Sequence, residues 1–228
     1  MSYPVPKNEQ ARLDALRQYD IMDTGTEQCF DDLTQLAATI CGTPTSLMTL
    51  LDQERQWFKS KVGMEACETK RDVAFCSHTI VNKDKLTIVN DATSDERFRD
   101  NTLVTKSPHI RFYAGAPLVT PEGHALGSLC VIDYEARQLS DSQKDALRRL
   151  ARQVVAQLEL RRTSRQLAES LRTVHELRTL VPVCSYCKSV RDDDGYWRKL
   201  EHYIRDHQNA DVSHGICPAC EEKIHREL

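Results

Sequence analysis

The sequence has little that would direct it to a membrane, a nucleic acid or the cell exterior. It contains no uncharged apolar run of the roughly 18 residues that a bilayer-spanning helix needs. It has no positive excess, since 31 Lys and Arg stand against 34 Asp and Glu for a net charge of −3. A polyanionic nucleic acid is therefore not an expected partner. The opening stretch, MSYPVPKNEQARLDALRQYD, lacks the basic and apolar regions of a secretory signal. These absences lead to the expectation of a cytoplasmic protein with no membrane and no nucleic-acid partner. Aromatic residues are scarce at 6%, yet 40% hydrophobic and 29% charged residues suit a soluble folded chain rather than a disordered one.

Cysteine is not scarce: there are nine. In a reducing compartment they do not make a disulfide framework, and paired cysteines there point to metal or redox chemistry. Two Cys-x-x-Cys pairs close the sequence, Cys184 with Cys187 in CSYCKSV and Cys217 with Cys220 in GICPAC. Four thiolates form the tetrahedral set that Zn²⁺ prefers, at about 2.3 Å per bond. The pairs are separated by residues 188–216, 29 in all, more than the roughly 15–20 of a zinc ribbon. The insert holds DGYWRKLEHYIRDH, which reads as a turn and one amphipathic helix with Tyr196, Leu200, Tyr203 and Ile204 on one side. Loop closure cost grows slowly with length, so such an insert still lets the pairs meet. A structural zinc on Cys184, Cys187, Cys217 and Cys220 is the expectation; an iron–sulfur cluster uses the same number of cysteines.

The rest of the chain divides at Ser140. Before it, residues 8–19 and 26–40 carry helical apolar spacing, the second with Phe30, Leu33, Leu36, Ala37 and Ile40 on one face. TSLMTLLD, RQWFKSKVG, KLTIVND, IRFYAGAPLVT and ALGSLCVIDY read as strands, the last two joined at PEGH by a hairpin turn. The expected fold class is α+β, an antiparallel sheet flanked by helices over residues 6–137. From 140 to 181 there is neither Gly nor Pro, and Ser140 with Gln143 resembles a capping box. Leu147, Ala151, Val154 and Leu158 keep a three–four spacing. Leu160, Ser164, Leu167, Leu171 and Val174 keep it again in a shifted frame. A long helix over 138–181 is expected to pair with a second copy as a coiled-coil homodimer through residues from about 145 to 181, helped by the N-terminal helix. Residues 182–228 form the third expected segment, a small zinc module built on four cysteines.

The first segment resembles a GAF domain of the type found in bacterial sensor histidine kinases and diguanylate cyclases. The resemblance is carried in order by NEQARLDAL and YDIMDTGTEQCFDDLTQLAATIC, SLMTLLDQERQWFKSKVG, ETKRDVAFCSHTIV, VNDATSDERFRDNTLV and IRFYAGAPLVTPEGHALGSLCVID. The cysteine tail is similar to a module at the ends of such signalling proteins. The resemblance implies a small-molecule cavity walled by FCSHTI and FYAGAP, with Phe75, Cys76, His78, Phe112 and Tyr113 as candidate ligand contacts. Cyclic-nucleotide and bilin signatures are absent. GAF-fold free-methionine sulfoxide reductases use cavity cysteines, and Cys67, Cys76 and Cys130 fall within this segment. No histidine-kinase box, GG-D/E-EF pattern or phosphate-cradling glycine loop is present, so no catalytic residue is assigned. The expected protein is a non-catalytic sensor or adaptor of two-component-type signalling that acts on an unknown signalling partner. The alternatives are a scaffold with an empty cavity and a thiol-dependent redox enzyme.

Overall fold

The computed structural model describes residues 3–178, 182–192, 194–208 and 213–227. The chain divides into two compact units, residues 1–166 and 167–228. In the first, α1 (Glu9–Tyr19) and α2 (Gln28–Cys41) precede the strands β1 (Thr45–Leu51), β2 (Arg55–Val62) and β3 (Glu68–Lys70). A 3-10 turn (Arg71–Val73), α3 (Cys76–Val81), β4 (Thr87–Val89), α4 (Thr102–Thr105), β5 (Phe112–Val119) and β6 (Ala125–Asp133) follow. The six strands form one antiparallel sheet in the order β3-β2-β1-β6-β5-β4.

Alternation along the strands gives the sheet two apolar faces. Met48, Leu50, Trp57, Phe112, Ala114, Leu129 and Val131 pack with Leu16, Phe30, Ala37, Leu147, Val154 and Leu158 from the helices. Leu47, Leu51, Phe58, Tyr113, Cys130 and Ile132 face the other way, toward Phe75, Cys76 and Ile80 of the α3 segment. Helix α2 is rotated from the expected face. Phe30, Thr34, Ala37, Ala38 and Cys41 are buried, while Leu36 and Ile40 are exposed. Thr34 turns inward because its hydroxyl donates to the Phe30 carbonyl at 2.9 Å, which leaves its methyl to pack. Gly42 ends the helix in the left-handed region at φ 64°, where its amide donates to the carbonyls of Ala38 and Thr39.

Two buried charge groups fasten the first unit. The register slips between Met48 and Thr49, opposite Lys59. Lys59 reaches Glu27 at 2.7 Å and the Gly25 carbonyl at 2.6 Å, which pins the α1–α2 connection to the sheet. At the start of α1, Glu9 accepts from Arg12 at 2.7 Å and from Arg71 at 2.6 Å. Both arginines are almost wholly buried, and they also donate to the carbonyls of Leu51 and Asp52. Burial opposes ionisation of Glu9, but the two guanidinium groups prevail and hold its carboxyl down at about 2.

Helix α5 runs Asp141–Arg178. Its capping box is formed: the Ser140 amide donates to Gln143 Oε1 at 3.0 Å and the Gln143 amide to Ser140 Oγ at 3.2 Å. Leu147, Ala151, Val154 and Leu158 are buried in the sheet's own core. That part of the expected dimer stripe is therefore used within the domain, at roughly 1.5–3 kcal/mol for each large side chain. Leu160, Leu167 and Leu171 are about 60% exposed. The frame shift in the sequence marks where the helix stops serving its own core. Residues 179–181, the end of the expected helix, lie outside the described residues. In the second unit a hairpin of β7 (Val190–Arg191) and β8 (Trp197–Arg198) is followed by α6 (Leu200–Gln208) and α7 (Pro218–Glu227). Among the described residues no helix is long and apolar enough to cross a membrane.

Candidate functional site

Strand alternation places Leu47 of β1, Cys130 and Ile132 of β6 and Tyr113 of β5 on the face that α3 covers. Between that face and the segments 63–76 and 103–110 lies a cavity of about 390 Å³. Its walls are mostly apolar: Leu47, Phe58, Phe75, Ile110 and Ile132 are among them. Two groups of polar side chains stand out among the others.

The outer group comes from β2 and β3. Gln56 and Thr69 are direct cross-strand partners, so their side chains share a face. Both line the cavity. Gln56 Oε1 and Thr69 Oγ1 are buried and have no hydrogen-bond partner. Such orphaned atoms cost about 1–3 kcal/mol each, and native proteins rarely keep them without a reason.

The inner group surrounds Cys76, the first residue of α3. Its Sγ lies 3.9 Å from Cys130 Sγ and accepts from the Tyr113 hydroxyl at 3.3 Å. The Tyr113 hydroxyl is in turn 2.8 Å from Thr79 Oγ1. Gly115 makes room for this arrangement, because a Cβ there would overlap the Tyr113 hydroxyl. Burial opposes ionisation of Cys76. Donors from Cys130, Ser128, Thr49 and Tyr113 outweigh it and hold this thiol below its ordinary value. Cys130 is pushed the other way by its bond with Cys76 and by burial. The two thiols are therefore unequal, one inclined to thiolate and one kept protonated.

Of the residues expected at the cavity, Phe75, Cys76 and Tyr113 line it. His78 does not. It borders a separate space of about 230 Å³ with Tyr3, Asp72, Arg97, Phe98 and Asn101, and burial lowers its basicity. Phe112 does not either, since it lies one residue from Tyr113 and so points to the opposite face of the sheet. Gln56, Thr69 and Phe58 join the site without having been among the sequence candidates. The alternation of RQWFKSKV carries the signal for Gln56, which falls two residues from Phe58. Nothing in the sequence announces the three-residue β3. A larger groove of about 570 Å³ lies between α1 and the β1–β2 turn. Its Arg55 is already paired with Asp23, Asp52 and Glu68, so it offers less unmet chemistry.

The cysteine tail keeps each pair on a tight turn. The Lys188 amide donates to the Cys184 carbonyl at 3.0 Å, and Lys188 is left-handed at φ 60°. The Cys220 amide donates to the Cys217 carbonyl at 2.9 Å at the start of α7. Among the described residues, no three His, Cys, Asp or Glu are gathered within reach of one metal ion. The donor chemistry, two thiol pairs each presented from one turn, nevertheless suits a thiolate-preferring ion. The tail also lacks a core: from residue 182 on, Val190 is the one buried hydrophobic residue among those described. Tyr186, Tyr196, Trp197 and Ile216 are exposed.

The chain matches the GAF domain family over residues 25–158. It is 38% identical over 176 residues to a cyclic di-GMP phosphodiesterase of Pseudomonas aeruginosa. The match takes in 77% of this chain and spans 30% of that relative's length. In fold it is similar to the blue-light-absorbing form of the PixJ GAF domain of Thermosynechococcus elongatus, with a TM-score of 0.51 and 14% identity over 72% of this chain and 96% of that one. A free methionine-R-sulfoxide reductase of Neisseria meningitidis aligns at a TM-score of 0.49 and 15% identity, over 72% of this chain and 98% of that one. The expectation of a non-catalytic protein is corrected by the first of these relatives. A sequence 38% identical to most of this chain is part of an enzyme, so missing catalytic signatures within these residues do not exclude enzymatic activity. With its antiparallel sheet between helices and its cavity under α3, the chain belongs to the GAF domain family.

Proposed function

We propose that this chain is the ligand-sensing part of a signalling protein in cyclic di-GMP metabolism. The cavity takes the ligand, α5 carries the signal, and a zinc ion on Cys184, Cys187, Cys217 and Cys220 builds the tail. The observation that carries the reading is the pair of orphaned polar atoms, Gln56 Oε1 and Thr69 Oγ1, in a mostly apolar cavity. A binding pocket has this pattern: apolar walls for affinity and a few convergent polar atoms for orientation. The relative's named activity supports the placement in cyclic di-GMP signalling.

The lining also limits the ligand's class. Glu65 is the charged residue among those lining the cavity, and no Lys, Arg or His joins it. A phosphodiester or carboxylate would be desolvated there with no cation to meet it. The ligand is small, uncharged or cationic, and presents a donor to Gln56 Oε1 and a donor or an acceptor to the Thr69 hydroxyl. Thr69→Val keeps the shape and removes an orphaned hydroxyl, so it is expected to stabilise the ligand-free protein by about 1 kcal/mol. The same change is expected to abolish the stabilisation given by a ligand recovered from the native protein. Thermal melts of stripped and ligand-loaded protein test this. Equal ligand stabilisation of wild type and Thr69→Val would refute the assignment.

The exposed positions Leu160, Leu167, Leu171 and Val174 keep a three–four spacing with Ser164, which fits a second copy of the same helix. Light scattering is expected to give a dimer at micromolar concentration and a monomer for Leu167→Glu/Leu171→Glu. A monomeric wild type would rule the dimer out.

A further inference from the structure

We propose that Cys76 and Cys130 are a hydroperoxide-oxidised dithiol at the inner wall of the cavity, so that this domain responds to oxidant as well as to ligand. The inference concerns the same cavity and rests on that reading only for access; it needs no bound ligand. Three observations carry it. The two Sγ atoms are 3.9 Å apart on different elements, α3 and β6, that the fold presses together. A disulfide requires about 2.05 Å, so closure asks for a displacement of roughly 2 Å, taken up by rotamer changes and by α3, a helix of six residues. Both thiols are shielded from bulk solvent but face the cavity, which is wide enough for a small peroxide. The Tyr113 hydroxyl also donates to Cys76 Sγ at 3.3 Å, a contact that favours ionisation of that thiol.

The Cys76 thiolate attacks one peroxide oxygen. An S–O bond forms, the O–O bond breaks, and the leaving alkoxide takes a proton to depart as alcohol, or as water from hydrogen peroxide. Cys76 is then a sulfenic acid. The Cys130 sulfur attacks Cys76 Sγ, the S–S bond forms, the S–O bond breaks, and hydroxide leaves with the Cys130 proton as water. Two thiols have lost two electrons, the peroxide has gained them, and a dithiol reductant returns the pair to its starting state. Tyr113 acts as a positioning residue, because its hydroxyl donates to the sulfur that must ionise.

The test uses the full reduced chain, treated anaerobically with one equivalent of hydrogen peroxide, alkylated and mapped by peptide mass spectrometry. A Cys76–Cys130 linked peptide is expected, with Cys29, Cys41 and Cys67 still alkylated. In Cys130→Ser, a sulfenic acid at Cys76 is expected to be trapped by a 1,3-dicarbonyl reagent. Tyr113→Phe is expected to slow the linkage by up to about tenfold, the change in thiolate fraction that one pKa unit brings. The linkage is expected equally in protein stripped of any bound ligand, which separates this proposal from the ligand reading. Free methionine sulfoxide is the control oxidant. Its carboxylate finds no cation among the lining residues, and no linkage is expected from it. The proposal is overturned if Cys76 and Cys130 stay alkylated in wild type at doses that oxidise the exposed Cys29 and Cys67, or if the sulfoxide links them and the peroxide does not. The wild-type map decides this without any variant having to fold.

Discussion

Glu9→Gln is expected to lower the stability of the first unit by about 3–5 kcal/mol, the loss seen when one partner is taken from a buried ion group. The reason lies in what stays behind. Arg12 and Arg71 are almost wholly buried, and Arg71 Nε and Nη2 already lack partners. A neutral amide leaves two cations facing one another across α1 and the 3-10 turn. For a domain of this size the change should lower the melting temperature by roughly 6–20 °C. The pH dependence has a definite sign. The Glu9 carboxyl is lowered from 4.5 to about 2 in the folded protein. Its contribution is therefore complete above about pH 4.5 and lost as pH falls from there toward 2. Denaturant titrations at pH 7 and pH 3 should show wild type losing more stability than Glu9→Gln over that interval. A difference under about 1 kcal/mol at pH 7 would show that the arginines relax to solvent.

Metal removal is expected to have a larger effect, confined to the tail. With Val190 as its buried hydrophobic residue among those described, the second unit has too little core to order its hairpin and two short helices. The zinc proposed for Cys184, Cys187, Cys217 and Cys220 would supply about 10–16 kcal/mol of apparent binding energy. Elemental analysis should find about one zinc per chain in protein purified without added metal. A strong chelator should make residues 182–227 protease-sensitive while residues 3–166 stay protected. A tail that keeps its protection at zero metal stoichiometry would remove the proposal, and visible absorbance with bound iron would replace zinc by an iron–sulfur cluster.

The long strands β1, β2, β5 and β6 are legible because runs of seven to nine residues rich in apolar, β-branched and aromatic side chains, bounded by turn residues, are a clear signal. The three-residue β3 and β4 are hard to place because so short a strand is specified by its neighbour's free edge rather than by its own pattern. β3 escapes a reading of the sequence, and with it Thr69. Gln56 escapes for a different reason: the pleat puts it on the face of Phe58, but glutamine on a strand reads as solvent-facing until the assembled sheet covers it. Cys76 and Tyr113 are found through the family resemblance, which places segments but not side-chain directions. Phe112 shows the limit, since one step along β5 separates the cavity wall from the opposite core. The Cys76–Cys130 proximity joins residues 54 positions apart, and no local pattern encodes it.

The offset between Leu158, buried against the sheet, and Leu160, open to solvent, has a mechanical consequence. Each helical residue advances the side-chain direction by about 100°, so two residues turn it through about 200°. The helix thus presents its outward stripe almost diametrically opposite the stripe that grips the domain. An insertion or deletion between them acts as a change of phase. Seven residues restore the bearing to within about 20° and lengthen the arm by roughly 10 Å, whereas two residues reverse it. Natural variation in the length of this helix should therefore favour steps such as seven, eleven or eighteen residues, which hold the bearing within about 20°, over steps such as two or five, which turn the outward stripe away from its counterpart.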